Sequence, residues 1–569
     1  MNRSGRGAYP VAASISLIAL VGLSGCSVNT NVDATGAAPA STSHLAITVE
    51  EVWFASAADT LPEATSGWYK QTLTTPITLD LATLTPGTLV SLATDLRVPA
   101  GSYSQVHFVL AESTDALTAT AQALGLLYNS QISLVSSTGV VSAFALELPV
   151  PESGITIPVS VDLTASLGSI DSSTSTSTST STTSTTSSSS SGTTSTVTTR
   201  SVAASIDAAR DVVTYSYGTN TGYILSPITT AIDESKAGGI SGTIDESALV
   251  AGGPPVWVSA EAVDSTGTHH VIVARQLIGT GGSFVLYPLP ATKDGKTYYD
   301  VVVSCASADT VIIKSVPVVA GAASAATSIE STTIPLSVAP TVYADVSASN
   351  PTLPGGARVT FYQTVNASGE IPYAIDGTAV DPIARRLPGD AFALSAGPQV
   401  IGTYTSGDAI SFTTLAPAEG DGGYVPGSEG LFRTDTLAGT ATVVSGTAGA
   451  PTEVLVPAPA VAAGGITGTL AVSLSSTVGS YDSGFLVVSS GDRIVETAAI
   501  GSALASGGGS VTLSLPAGDV LAPPSGIPYQ VAVRAWSSSN PTSTLTRVAG
   551  PHSVNLGDSA AASLSIQVP

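Results

Sequence analysis

The chain has 569 residues, with 41 acidic against 18 basic side chains and a net charge of −23. A surface so poor in cations excludes nucleic acid as a partner, because phosphate binding needs clustered Lys and Arg. The length excludes a single core and predicts about three to five domains. Charged residues make up only 10% while 43% are apolar. Surface polarity must therefore come from Ser, Thr, Gly, Asn and Gln, a habit of extracellular all-β proteins. The 56 Gly and 35 Pro fit a chain with many turns.

The N-terminus reads as an address. Arg3 and Arg6 form a positive region, and Val11 to Leu23 an apolar run too short for a comfortable transmembrane helix. Leu23-Ser24-Gly25-Cys26 follows, and every position resembles the bacterial lipobox. The resemblance implies cleavage after residue 25 and acylation of Cys26, whose chains anchor the protein without a spanning helix. Ser27, in place of the Asp that retains lipoproteins at the inner membrane, points to the outer membrane. Residues 26–43 are small and polar and are expected to form a flexible tether.

From His44 the pattern becomes that of strands. Leu45, Ile47 and Val49 alternate in "HLAITVEEVWF", and Ile155, Ile157, Val159, Val161 and Leu163 do so in "SGITIPVSVDL". Pro158 places the second of these at a sheet edge or bulge. The segment "STDALTATAQALGLLYN" predicts one short helix with Ser113 as its N-cap. The order of motifs resembles the bacterial domain of unknown function 4382. The matching residues are Gly67-Trp68, Asp80-Leu81, Pro99 to Val106, Asp162 and Tyr223-Ile224-Leu225-Ser226-Pro227, with His107 where the family usually has Arg. That family brings no established activity.

The tract "STSTSTSTSTTSTTSSSSS" (173–191) lies between family strands, so it is expected to be a disordered insertion (171–199) within one domain, 44–235, joining neighbouring strands. Further on, the chain repeats itself. "AGGISGTIDES" (237–247) corresponds to "AGGITGTLAVS" (463–473). The spacing from Gly242 to Gly282 is 40 and from Gly468 to Gly509 is 41. Each copy closes on a Tyr-led strand, "YYDVVV" or "PYQVAVRAW". Both copies resemble carboxypeptidase regulatory-like (transthyretin-like) β-sandwiches, which carry no fixed ligand. The expected division is thus a signal peptide (1–25), the tether, the first domain, two regulatory-like sandwiches at 236–339 and 463–569, and between them a sandwich of unnamed type (340–462). The fold class is all-β, with tandem β-sandwich domains.

Motifs for chemistry are sparse. The histidines are His44, His107, His269, His270 and His552, and none has zinc-helix spacing. His269 and His270 are adjacent on a strand and face opposite ways, which favours a satisfied surface role over a shared metal. Gly295-Lys296-Thr297 lacks the upstream Gly of a phosphate loop, Pro290 standing there. Glu419 to Gly423 reads as a turn. Cys305 closes an apolar strand and is expected to be a buried thiol. Trp53, Trp68, Trp257 and Trp536 read as core or sheet-edge rings rather than sugar platforms. No catalytic residue, metal ligand or cofactor is assigned, and no ligand-binding residue is identified. The expected function is a non-catalytic cell-envelope lipoprotein presenting binding or scaffold modules, with carbohydrate or another surface polymer as the ligand class and the membrane as a partner through its lipid. The alternative is an envelope enzyme, such as a glycan-acting hydrolase, with a loop-borne site.

Overall fold

The computed structural model describes residues 27–568 apart from 58–65, 164–198, 349–357, 376–398, 416–451, 457–465, 518–526, 538–545 and breaks of at most five residues. The described chain is all-β, a succession of two-layer sheets with two five-residue α-helices. Among the described residues no helix is long and apolar enough to cross a membrane.

The first domain packs an eight-stranded sheet on a four-stranded one. The larger is built on Thr42–Ala55, which pairs with Trp68–Asp80, Ser102–Leu110 and Gln131–Val135. The smaller runs Ile228–Asp233, Thr199–Asp207, Ser27–Ala37, Val90–Pro99. Leu45, Ile47, Phe54, Phe108, Ile155 and Ile157 from one layer meet Val32, Leu92, Val98, Val202 and Ile206 from the other in one core. Ile155–Asp162 pairs with Ser102–Leu110 and ends its sheet, so Pro158 does stand in an edge strand.

Three expectations for this domain are corrected. The segment read as a tether is a strand, Ser27–Ala37, parallel to Thr199–Asp207 and antiparallel to Val90–Pro99. Its Val28, Thr30, Val32 and Ala34 are buried at period two, and a neighbour 170 residues away in sequence, Thr199 opposite Asn29, supplies the pairing. The helix is Ala119–Ala123 and its cap is Thr118, whose side chain accepts from the Ala121 N–H, whereas Ser113 donates to the Leu146 carbonyl. The strands flanking the Ser/Thr tract, Ile155–Asp162 and Thr199–Asp207, belong to opposite sheets rather than to neighbours of one sheet. The tract itself lies outside the described residues.

The two segments paired by sequence have the same strand order. In the first, Ala237–Asp245 lies between Ser283–Pro290 and Thr327–Ser328, and the facing sheet runs His270–Leu277, Val256–Val263, Thr297–Cys305, Ala308–Val318. In the last, Ile466–Ser476 lies between Gly508–Ala517 and Ala561–Val568, facing Arg493–Ala499, Ser483–Ser490, Ile527–Trp536, Thr546–Leu556. Each first strand is antiparallel to one neighbour and parallel to the other. The segment between them repeats this order: Thr341–Ala348 sits between Gln399–Thr403 and Thr452–Val456, the latter parallel, and Arg358–Thr364 sits between Tyr373–Ala374 and Ala409–Leu415. Among the described residues one strand order thus appears three times after the first domain, the middle copy showing three strands in its facing sheet where the others show four. The second short helix, Gly501–Ala505, is an addition in the last copy.

Gly242 and Phe284 of the first repeated segment meet for a packing reason. Gly242 is the register partner of Phe284, and a Cβ at Gly242 would lie 2.6 Å from Cζ of that ring. Phe284 is 1% exposed, so the absent side chain is what lets the ring lie flat over the opposite strand.

Candidate functional site

Several of the ionisable groups that the structure buries, among them Glu261, His270, Arg275 and Arg534, stand at the joints between modules. Asp207 ends the strand Thr199–Asp207 of the first domain, beside Ala37. Arg275, on His270–Leu277 of the second module, forks onto it, with Nε 2.8 Å from Oδ2 and Nη2 3.2 Å from Oδ1. The guanidinium lies 5.6 Å from the Trp257 ring, and Trp257 packs on Ala37 and Leu277. A planar donor fork held between a carboxylate and an indole is a geometry Lys does not reproduce.

The second joint is denser. Glu261, on Val256–Val263, is fully buried and is the register partner of Asp300 on Thr297–Cys305. Its carboxylate accepts from Ser259 Oγ at 2.8 Å and from the Ala374 N–H at 3.0 Å, the latter from the third module. His270 presents Nδ1 to the Pro372 carbonyl at 3.2 Å and Nε2 to Asp300 Oδ2 at 3.4 Å. The Tyr373 ring stacks on the imidazole at 4.0 Å, and its hydroxyl donates to Asp300 Oδ2 at 2.8 Å. Thr310 donates to Gln363 at 2.6 Å and Lys314 pairs with Glu370 at the rim.

Charge follows from this packing. Burial pushes the Glu261 carboxyl up to about 8, against the opposing pull of the Ser259 and Ala374 hydrogen bonds and of His270. For His270 burial works downward, but the Asp300 contact, the Pro372 carbonyl and the neighbouring carboxylates outweigh it and raise the ring. Both ring nitrogens face oxygen, an arrangement that suits the doubly protonated imidazolium. Burial acts to raise Asp300, yet hydrogen bonds from His270, the Ser315 N–H and Tyr373 hold it below the ordinary carboxylate range.

The third joint closes the chain on itself. Arg534, from the last module, is 1% exposed. Its Nε donates to Glu147 Oε2 at 2.9 Å, and its two amino nitrogens donate to the Leu148 and Pro149 carbonyls at 2.6 and 2.9 Å. The residues it holds follow Val141–Glu147 in the first domain, 387 positions away in sequence for the carboxylate.

The residues singled out from sequence fall elsewhere or change role. Cys26 and Glu419 to Gly423 lie outside the described residues. Gly295 to Thr297 form a turn in which Thr297 accepts from the Thr292 N–H. Cys305 is a buried reduced thiol. His269 lies against Tyr362 at 4.5 Å, and His270, expected at the surface, is buried in the joint because the third module covers it. Trp257 is core-like, as expected, but what it packs on is the preceding domain. Among the described residues no three His, Cys, Asp or Glu are placed to hold a metal ion.

The family turn also has a physical reading. Tyr103 donates its hydroxyl back to the Pro99 carbonyl at 2.7 Å and tucks its ring edge-on to Phe54, which fixes the bend before the strand. His107 on that strand is fully buried beneath Trp53 and Trp68, with Thr156 Oγ1 on Nδ1 at 3.0 Å. Residues 30–227 match the family described as a domain of unknown function, DUF4382. The match spans strands of both sheets and both sides of the Ser/Thr tract.

No curated protein matches the chain. Among solved structures it is similar to the Bacillus anthracis TIE protein, at 8% identity, covering 94% of this chain and 72% of that one, with a TM-score of 0.13. It is also similar to a streptococcal ancillary pilin, at 10% identity, 58% and 99% coverage and a TM-score of 0.12. BcpA, the major pilin subunit of Bacillus cereus, gives 10% identity, coverages of 58% and 99% and a TM-score of 0.12. TM-scores of this size carry no functional inference.

Sequence reading missed Arg275, Arg534, Glu261 and Asp300. The signal was present: each is a charge inside an apolar strand ("VIVARQL", "VAVRAW", "VSAEAV", "YYDVVV") of a chain with only 10% charged residues. What it could not supply was the partner.

Proposed function

We propose that this protein is a non-catalytic lipoprotein of the bacterial cell envelope that presents β-sandwich modules in a fixed mutual arrangement. The observation that carries this reading is the set of buried ionic joints, in which Arg275, Arg534 and the Glu261–His270–Asp300 group bind other modules rather than face a cleft. A glycan hydrolase needs two carboxyl groups flanking an accessible sugar, and the facing pair Glu261 and Asp300 is covered by Pro372, Tyr373 and Ala374. The Leu23 to Cys26 lipobox supports acyl anchoring, and Ser27 supports the outer membrane. Regulatory-like family membership for the repeated modules is supported by their matched AGGI segments and Gly spacings, by the Leu289-Pro290 and Leu515-Pro516 pairs at the ends of the matching strands, and by their common strand order. The test is the intact mass and detergent partition of the protein expressed with its leader. The wild type is expected to carry acyl groups at residue 26 and to enter the detergent phase, and Cys26→Ser to stay aqueous. An unacylated wild-type Cys26 defeats the proposal.

A second reading adds a carbohydrate ligand. Trp53 and Trp68 are half-buried on the outer face of the larger sheet, their ring centroids 5.9 Å apart, with the Lys70 ammonium over the Trp53 ring and Glu51 accepting its indole N–H. Aromatic faces beside fixed polar groups suit pyranose stacking. A glycan array on wild type and Trp68→Ala tests it: binding lost in the variant supports the reading, and no binding by the wild type removes it.

A further inference from the structure

The joint between the second and third modules is held by groups whose charge depends on whether it is closed. Glu261 and Asp300 lie side by side on neighbouring strands, and His270 flanks them on the next strand. In the second module alone these side chains would stand on the outer face of a sheet. The third module covers them with three consecutive residues. Pro372 offers its carbonyl, Tyr373 its ring and hydroxyl, and Ala374 its N–H. The side-chain contacts that close the joint core run to Glu261, His270 or Asp300, and beside them the His270 backbone N–H donates to the Pro372 carbonyl at 2.9 Å.

We propose that this joint is a proton-operated hinge, closed in acid and loosened as the medium becomes alkaline. The groups facing Glu261 are Ser259 on its own strand, His270 and Asp300 on the two adjoining strands, and Tyr373 and Ala374 from the third module, with Lys314 and Glu370 paired at the rim. His270 is the cation that acts on the Glu261 carboxyl, and its pull is smaller than the cost of burial, so closure favours the neutral form. His270 gives its protons to Asp300, within the second module, and to the Pro372 carbonyl, across the joint.

The sign is set by Glu261. Closing covers its carboxyl and raises it from the ordinary carboxylate range to about 8, so the closed joint holds a proton that the open one releases. His270 lies above its ordinary value as well, but its Asp300 contact is internal to the second module and only its Pro372 contacts cross the joint. Closure is most favoured below the ordinary Glu range and is lost as pH rises through about 8. Asp300, held low, opposes this only in strong acid. For Glu261 alone the linkage amounts to a change in the closing equilibrium on the order of several hundredfold between about pH 5 and pH 9.

Hydrogen exchange of the full chain reads this directly, because the Ala374 N–H is itself a closing contact. The protection of peptides containing residues 371–375, corrected for the base-catalysed intrinsic rate, is expected to fall at least a hundredfold from pH 5 to pH 9. Peptides from Ile466–Ser476 in the last module serve as the reference and should keep their protection. In Glu261→Gln most of the fall should vanish. His270→Phe, which keeps the ring stack on Tyr373, should retain the Glu261 part. Protection of 371–375 that is flat in the wild type, or a fall that Glu261→Gln leaves unchanged, overturns the proposal. Should Glu261→Gln fail to fold, as the reference peptides would show, the wild-type titration with His270→Phe still decides it.

Discussion

Replacing Arg534 by Ala severs the contact that seats the last module on the first domain. The guanidinium is 1% exposed and fills three acceptors: the Glu147 carboxylate and the Leu148 and Pro149 carbonyls. Removing one partner of a buried ion pair costs about 3–5 kcal/mol, because the remaining charge is left without compensation. Glu147 keeps 27% of its side chain exposed, so water recovers part of that loss. The two carbonyls each lose a charge-assisted hydrogen bond, about 1.5–3 kcal/mol apiece before water replaces it. A net weakening of about 3 kcal/mol is expected, more than a hundredfold in the docking equilibrium. Arg534→Lys should fall between, since an ammonium satisfies the carboxylate but not the fork of two carbonyls. Small-angle scattering should show a larger radius of gyration for Arg534→Ala at unchanged circular dichroism, and hydrogen exchange should report deprotection at residues 145–149. An unchanged radius together with unchanged exchange there would refute the view that this arginine holds the chain closed.

The remaining expectations concern the first domain and its joint. Gly154 has φ +69°, and a Cβ there would lie 2.2 Å from the Phe108 carbonyl and 2.7 Å from Nε2 of His107, so Gly154→Ala should destabilise the domain by about 2–4 kcal/mol in urea titration. Burial, with help from Lys70, lowers His107 to about 3, so its imidazole resonances should not titrate between pH 8 and pH 4. The sign follows: the unfolded chain takes up this proton near pH 6.5 and the folded one does not, so stability falls as pH drops from about 6.5 toward 3, by at most about 1.4 kcal/mol per unit. Tyr103→Phe removes the hydroxyl that bonds Pro99 and should cost about 1 kcal/mol, read from the same titrations. Arg275→Lys should loosen the first two modules without unfolding either, visible as faster exchange at residues 203–207.

Sequence alone determined the all-β class and the likeness of two of the three repeated segments. Those features are local. Period-two burial such as Ile155, Ile157, Val161 needs only one strand to be visible, and the matched spacings Gly242 to Gly282 and Gly468 to Gly509 can be read along the chain. Only the tertiary structure decided the rest. Ser27–Ala37 is too poor in large apolar residues to announce itself, and becomes a strand because Thr199–Asp207 and Val90–Pro99 take up its backbone hydrogen bonds. The third copy, with strands from Thr341–Ala348 to Thr452–Val456, shares strand order but not the signatures. Arg534 and Glu147 each look like ordinary solvent-facing charges until the fold brings them within 2.9 Å. A strand's outer face is polar whether water or another module covers it, so its residues name the chemistry of a joint but not the partner that closes it.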